Sequence, residues 1–273
     1  MAKPISYSVL AERAATLLIL IAFLLPVAWL VTTAYKPSDQ IFSAPPKLTF
    51  TPTFEHFRDV WTYFDVWSLL RASLVISLGS AALSLCLGVP AGYALARAQW
   101  RYAPAMAYAF LAVRMIPPVA TLLPFYLMMR DIGLLGSYWA VILINSLLNC
   151  AFVTWMMYSY FRALPKDLED AAMTDGCTAI GAFVSVSLPA ARSGMIASVL
   201  FCVMFSWNDF LYAMFLTDLD TKPLSVALLS AYGTKDITWG SLGALAHVST
   251  IPIVLMALAL NRYFVQGATG GVQ

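Results

Sequence analysis

The chain has few charged side chains. Only 11% of its 273 residues are Asp, Glu, Lys or Arg, and 61% are hydrophobic, whereas a soluble domain carries about a quarter charged residues. Together with a mean hydropathy of +0.78, this shortage predicts a polytopic membrane protein whose apolar stretches contact lipid or one another. The net charge of +2 and the lack of a basic patch interleaved with stacking aromatics exclude a nucleic-acid partner.

The sequence also lacks the residue sets that carry most enzyme chemistry. Its two histidines, His56 and His247, belong to no Ser/His/Asp set near one membrane face and to no cluster with metal-ligand spacing. This argues against an intramembrane enzyme. No glycine-rich loop with Gly-Lys-Ser/Thr is present, so the chain is not expected to bind ATP through a P-loop. We therefore expect no cofactor or metal site in this chain.

Cysteine is rare too. The four cysteines fall in or beside apolar segments, and their spacing is not paired. They are Cys86, Cys150, Cys177 and Cys202. This pattern predicts small buried hydrophobic residues, with neither a disulfide framework nor a metal site.

Six apolar stretches are long enough to cross a bilayer, which takes about 20 residues. They cover residues 15–35, 69–96, 104–129, 138–161, 193–217 and 242–263. The first stretch is long enough to span and lacks a clear small-residue cleavage site, so no cleavable signal peptide is expected. Between the second and third stretches, Arg97 and Arg101 stand in a turn without acids. Within the second, Gly88 and Gly92 predict close helix packing.

The third stretch is unusual for a membrane span. It contains Arg114 and then Pro117, Pro118 and Pro124. Prolines remove backbone donors and free the carbonyls before them, so this helix should be broken or strongly kinked. An arginine within a span costs at least a few kcal/mol unless it faces a partner or water. Arg114 is therefore either paired with a neighbouring helix for stability or part of a solute path.

Four further polar residues lie within the later stretches. Asn145 and Asn149 are four residues apart and share one helix face, where inter-helix hydrogen bonding or pore lining is possible. Asp209, preceded by Asn208, lies in the fifth stretch, and an intramembrane carboxylate is by default a candidate functional group. Arg114 is its obvious candidate partner. These five residues form the predicted translocation pathway.

The longest polar interval of the C-terminal half is the loop 162–192. Helical spacing from Leu168 to Asp175 predicts a short helix, with Pro165 at its first position and Gly176 as a left-handed C-terminal cap. Thr178 is expected to cap a second short helix that Pro189 ends. Its apolar residues should share one face; they are Ile180, Phe183, Val184 and Leu188. Carboxylates on the first helix should face a basic partner; they are Asp167, Glu169 and Asp170. Alternatively, the two helices are a hairpin lying on the membrane surface.

The residue pattern of this loop resembles the EAA loop of membrane subunits of binding-protein-dependent ABC importers. The matching elements are Asp170-Ala171-Ala172, Asp175-Gly176 and Val186-Ser187-Leu188-Pro189, with Asp170 in place of the usual Glu and Val186 in place of Ile. The third stretch, the run Trp207-Asn208-Asp209-Phe210 and the C-terminal tail also resemble the carbohydrate permeases of the maltose type. The resemblance extends over nearly the whole chain.

This resemblance implies an all-α fold of six transmembrane helices, the type I ABC importer permease fold. It implies a cytosolic N-terminus at 1–14, a permease domain at 15–266 that includes the coupling loop, and a cytosolic tail at 267–273. The residues that it places at the ATPase contact are Glu169, Asp170, Ala171, Ala172, Asp175, Gly176, Leu188 and Pro189.

The same resemblance implies the partners and the activity. They are a second homologous permease, two ATPase subunits that bind ATP and magnesium, a periplasmic or extracellular solute-binding protein, membrane lipid and a carbohydrate-like solute. The chain would be a non-enzymatic subunit of the bacterial inner membrane that works by alternating access. Lysine and arginine, eight on the inner side and seven on the outer, barely favour cytosolic termini, so this orientation rests on the coupling loop. The alternative is a self-contained secondary transporter or channel, which would leave that loop unexplained and tends to carry repeats or several intramembrane charges.

Overall fold

A computed structural model describes residues 7–231 and 238–269. In this part of the chain the regular structure is helical, without strands, which confirms the all-α fold class. The α-helices are α1 (Tyr7–Tyr35), α2 (Glu55–Tyr63), α3 (Val66–Arg97), α4 (Ala103–Val113), α5 (Pro118–Asp131), α6 (Tyr138–Ala163), α7 (Asp167–Thr174), α8 (Ala179–Ala182), α9 (Leu188–Ala190), α10 (Arg192–Trp207), α11 (Leu211–Leu216), α12 (Leu224–Ala231) and α13 (Trp239–Thr269).

Four helical segments are long and apolar enough to cross a membrane unaided. They are Glu12–Tyr35, Val66–Arg97, Tyr138–Ala163 and Trp239–Ala259. Two sharply bent helix pairs meet the same requirement when each pair is taken as one span. The described residues therefore hold four spans, or six with both bent pairs, against the six that the sequence predicts.

The first bent pair confirms that the proline-rich stretch is broken. Helix α4 ends at Val113, α5 begins at Pro118, and the two are bent by 84°. Pro118 occupies the first turn of α5, where a missing N–H leaves no hydrogen bond unmade. Arg114 lies in the break itself, as the C-cap of α4.

The prediction of one continuous span at 193–217 is wrong. Helix α10 ends at Trp207 and α11 begins at Leu211, so that Asp209 lies in a break. The Asp209 carboxylate accepts the backbone N–H of Tyr212 at 3.3 Å, and such local side-chain bonds compete with the regular helix. The second bent pair joins Ala179–Ala190 to Arg192–Trp207 at 74°.

The last helix is longer than predicted. Helix α13 runs from Trp239 to Thr269, so it starts before residue 242 and continues into the expected tail at 267–273. Residues 270–273 of that tail lie outside the described residues. The short helix α12 comes before α13 in the chain, and Leu224 and Ala227 of that helix are buried.

The chain divides into two compact units. The first comprises Met1–Val66 and Leu228–Thr250. In its interior, Nε2 of the fully buried His56 lies 2.7 Å from the carbonyl oxygen of Lys36. The rings of Tyr35 and His247 pack edge to face with centroids 5.8 Å apart.

The second unit comprises Trp67–Ala227 and Ile251–Gln273, and α6 is its central helix. Helix α3 approaches α6 closely through two glycines. A Cβ at Gly88 would lie 2.8 Å from Cβ of Val153, and one at Gly92 would lie 2.9 Å from Cβ of Met157. The packing interpretation of these glycines is therefore confirmed.

The cysteine environments differ from the prediction of four buried residues. All four thiols are free. Cys202 is buried and Cys150 is half-buried, but Cys86 and Cys177 are exposed. Apolar neighbours in sequence do not reveal which face of a helix or loop a small side chain occupies.

Candidate functional site

The loop 162–192 folds into two short helical segments. Helix α7 ends at Thr174, and Gly176 adopts a φ of +97°, the left-handed conformation predicted for its cap. The Thr178 hydroxyl then accepts the backbone N–H of Gly181 at 3.1 Å, which confirms it as the N-cap of the second segment. Pro165 does not begin α7, which starts at Asp167 and has Lys166 as its N-cap.

The second segment is irregular and longer than expected. Helix α8 passes into a π-helical turn at Phe183–Ser187 and then into α9, which ends at Ala190, one residue after Pro189. The predicted single apolar face is wrong. Phe183 and Leu188 pack against the core, whereas Ile180 and Val184 are 77% and 53% exposed. The i→i+5 repeat of the π turn aligns Phe183 with Leu188 on the buried side, whereas Ile180 and Val184 lie on the exposed side.

A buried ion pair joins α7 to the end of α3. The Arg97 guanidinium binds the Glu169 carboxylate, with Nη2 2.6 Å and Nε 2.9 Å from Oε1. Two further hydrogen bonds reach that carboxylate, from the hydroxyls of Tyr93 at 3.0 Å and Ser187 at 2.5 Å. Arg97 also donates to the carbonyl oxygen of Phe161 at 2.8 Å. One carboxylate therefore connects α3, α7 and the π turn.

The expectation that Glu169 faces a basic partner is wrong, since only 7% of this residue is exposed. Burial by itself would raise the pKa of the Glu169 carboxyl. The hydrogen bonds from Arg97, Ser187 and Tyr93 outweigh that effect and hold the pKa below its ordinary value. The carboxylate is thus ionised and fully engaged within the chain at neutral pH.

The outer surface of the loop combines acidic and apolar side chains. Asp170, Asp175 and Ala171 are exposed, as predicted. The exposed large apolar residues of this surface are Leu168, Met173, Ile180 and Val184. We call these seven residues the loop surface. The Arg97–Glu169 ion pair connects the α7 part of this surface to α3.

A separate polar cavity of about 190 Å³ lies where the α4–α5 break and the α10–α11 break meet α6. Its polar lining comes from Arg114, Asn145, Asn149 and Asp209, so the structure brings together four of the five predicted pathway residues. The fifth, Asn208, does not line the cavity. Its amide donates to the carbonyl oxygen of Met204 at 2.8 Å, one turn back in α10.

Arg114 is held by α6 and α10. Its Nη1 donates to Oδ1 of Asn149 at 3.0 Å. Its guanidinium carbon lies 3.6 Å from the centroid of the Phe205 ring, a cation–π contact. Asn149 itself donates to the Ser206 hydroxyl at 2.9 Å.

Asp209 is held separately. Its Oδ2 accepts a hydrogen bond from Nδ2 of Asn145 at 3.2 Å, and its Oδ1 lies at the start of α11. Nearby, the hydroxyls of Tyr212 and Thr121 are 2.7 Å apart and join α11 to α5. The candidate pairing of Arg114 with Asp209 is not found: the ion pairs in the described part of the chain are Arg97–Glu169 and Arg130–Asp131. Over the same residues no group of three His, Cys, Asp or Glu side chains could hold a metal ion.

The comparison with protein families decides what kind of protein this is. Residues 84–270, more than half of the chain, match the family described as "Binding-protein-dependent transport system inner membrane component". The chain belongs to this family. It is an inner-membrane permease subunit, and the broken helices, the cavity and the loop are parts of that permease.

Curated relatives match the permease over most of its length. The probable ABC transporter permease protein y4oR of Sinorhizobium fredii is 31% identical over 249 residues, which cover 91% of this chain and 90% of the relative. The trehalose transport system permease protein SugB of Mycobacterium tuberculosis is 31% identical over 251 residues, 91% of each chain.

A solved structure shows the same fold. A chain of a bacterial ABC transporter involved in the import of the acidic polysaccharide alginate matches with a TM-score of 0.78 and 21% identity. The match covers 96% of the permease and 100% of that chain. The predicted type I ABC importer permease fold is thereby confirmed.

Several residues of the permease's two sites were missed from the sequence. Arg97 and Tyr93 hold the loop through Glu169, and Phe205 and Tyr212 complete the cavity. The sequence offers one indication for Arg97: it is a cation in a turn without acids, so its partner must come from another part of the chain. The other three gave none, because aromatic residues are common throughout this chain.

Proposed function

We propose that this permease is one of two homologous membrane subunits of an ATP-driven importer of a carbohydrate or carbohydrate-like solute. Two ATPase subunits bind and hydrolyse ATP with magnesium, and a solute-binding protein delivers the cargo on the other side of the membrane. This chain has no nucleotide site of its own, and it lies among membrane lipid with both termini, 1–14 and 267–273, in the cytosol.

The observation that carries this proposal is the loop surface and its support. A partner can move a loop as one body only if the loop is rigid, and the buried Arg97–Glu169 pair supplies that rigidity. The exposed carboxylates of Asp170 and Asp175 suit a basic cleft on an ATPase. A hairpin lying on the membrane surface would not need this buried pair.

The relatives support the carbohydrate class. One is a trehalose transport permease, and another, 28% identical over 253 residues, is the diacetylchitobiose uptake permease DasC of Streptomyces coelicolor. The mechanism would be alternating access: closure of the ATPase dimer carries the loop 162–192 with it, and the two permeases open outward to accept the solute.

Affinity purification of the tagged permease from native membranes in mild detergent tests the assembly. We expect an ATPase and a second permease in fixed ratio with it. A homo-oligomer retained without any ATPase would contradict the proposal and favour a self-contained secondary transporter.

A further inference from the structure

The cavity at the α4–α5 and α10–α11 breaks contains two groups of opposite charge that do not form an ion pair with each other. Arg114 and Asp209 both line it, yet each is bound to a different asparagine of α6. Asn145 and Asn149 lie one helical turn apart and are 5% and 2% exposed. The cavity therefore has a formal charge near zero while it presents both hydrogen-bond donors and acceptors.

The guanidinium retains hydrogen-bonding capacity. It has five N–H donors in a planar fork, and Asn149 accepts from one of its nitrogens. Each carboxylate oxygen of Asp209 already accepts a hydrogen bond, one from Nδ2 of Asn145 and one from the backbone N–H of Tyr212 in α11. Close to it, the Tyr212 hydroxyl is both donor and acceptor.

The rest of the lining is apolar and partly aromatic. Phe205 is 37% exposed, and Ile116, Pro118 and Leu148 complete the walls. A few convergent polar groups on an apolar wall are the usual make-up of a small-molecule site. A sugar ring has the matching character, with hydroxyl groups at its edge and C–H groups on its faces.

We propose that this cavity binds one uncharged, polyhydroxylated ring of the transported solute, so that this subunit contacts the cargo itself. The inference rests on the proposed function, since it takes the solute to be carbohydrate-like. The ring is uncharged because the cavity holds both signs of charge. An anionic solute would be repelled by the Asp209 carboxylate and a cationic solute by the Arg114 guanidinium, and a low dielectric strengthens both repulsions.

Combining a change in the protein with a change in the solute, as in a double-mutant cycle, tests this contact. The complete complex, with its ATPase and binding protein, is reconstituted in proteoliposomes, and uptake of radiolabelled trehalose, maltose and N,N′-diacetylchitobiose is measured. Monodeoxy analogues of the sugar that is carried are then compared in the wild type, Asn145→Ala and Arg114→Lys. Arg114→Lys keeps the charge and loses the planar fork. Asn208→Ala, an asparagine outside the cavity, is the matched control.

We expect loss of one hydroxyl to lower kcat/KM several-fold in the wild type. In Asn145→Ala or Arg114→Lys the same loss should have little further effect, whereas Asn208→Ala should keep the wild-type ratio. Variants that slow all analogues by the same factor would overturn the inference and leave these residues a structural role. A transported solute that contains no polyhydroxylated ring would instead contradict the proposed carbohydrate function.

Discussion

Glu169 shows how one side chain can change the meaning of a motif. The acidic pattern of α7 predicts carboxylates directed at a partner, and Asp170 is exposed accordingly. Glu169 is instead enclosed by Arg97, Tyr93 and Ser187. The periodicity of a helix of eight residues cannot show which of two adjacent acids faces inward, since the answer depends on a cation 72 positions away.

Removing the cation beneath the loop should be strongly destabilising. Loss of one member of a buried ion pair leaves an uncompensated charge and costs about 3–5 kcal/mol. We expect Arg97→Ala to lower the melting temperature of the purified permease clearly, while Arg101→Ala, at an exposed arginine four residues on, should change it little. Recovery of stability in the double variant Arg97→Met/Glu169→Leu would support a buried ion pair at this position. Equal melting temperatures of Arg97→Ala and Arg101→Ala would contradict it.

The Glu169 carboxyl also predicts a pH dependence. Because its pKa is lower in the folded state, its stabilising contribution is complete above the unfolded pKa, about 4.3, and is lost as pH falls through the folded value. The melting temperature of the wild type should therefore exceed that of Glu169→Gln at neutral pH, and the difference should shrink as pH falls below about 4. A difference that increases with acidification would show that the carboxyl is not held ionised.

At the level of helices, the sequence predicts best where long apolar runs coincide with strong breakers. The span at 104–129 is broken as its prolines require. The break at 208–210 has no proline at the point of distortion, whereas the π turn at Phe183–Ser187 comes just before Pro189, which cannot donate to the carbonyl of Ser185. The first accompanies hydrogen bonds of Asp209 with Tyr212 and Asn145, and the second places Ser187 on Glu169. The contacts of Asp209 with Asn145 and of Ser187 with Glu169 join separate elements and are not readable from local sequence.

The turn between α7 and α8 depends on backbone conformation. Gly176 has a φ of +97° and no atom within 4 Å of the position of a Cβ, so a side chain there would be strained without any clash. We expect Gly176→Val to cost at least about 1–2 kcal/mol and to reduce uptake per ATP hydrolysed, whereas Gly176→Asn should retain most coupling because Asn tolerates positive φ. Equal effects of the two variants on this ratio would contradict the conformational argument.

Two glycines of α3 offer a test of helix packing. A Cβ at Gly88 would meet Cβ of Val153 at 2.8 Å, whereas one at Gly79 would meet the flexible end of Ile142 at 3.0 Å. Gly88→Ala should therefore separate α3 from α6 and lower the thermal stability by about 1–3 kcal/mol. Gly79→Ala should cost much less. The reverse order of stability would contradict the described α3–α6 contact.

For the whole molecule, composition and the motif of the loop 162–192 were sufficient to predict the family and the all-α fold. The positions of the site side chains were only partly predictable. The chain brings Arg114, Asn145, Asn149 and Asp209 to one cavity, but it binds each charge to its own asparagine. Sequence spacing shows that Asn145 and Asn149 share a helix face; it cannot show which break each one reaches.

The central claim is that the loop surface transmits ATP hydrolysis to transport. The most direct measurement is the number of solute molecules imported per ATP hydrolysed by the reconstituted complex carrying Asp170→Lys, with Asp220→Lys, at an exposed acid outside the loop, as control. We expect Asp170→Lys to assemble in the membrane and to import far fewer solute molecules per ATP hydrolysed, while the control keeps the wild-type ratio. Full solute-stimulated hydrolysis with normal uptake in Asp170→Lys would contradict the account.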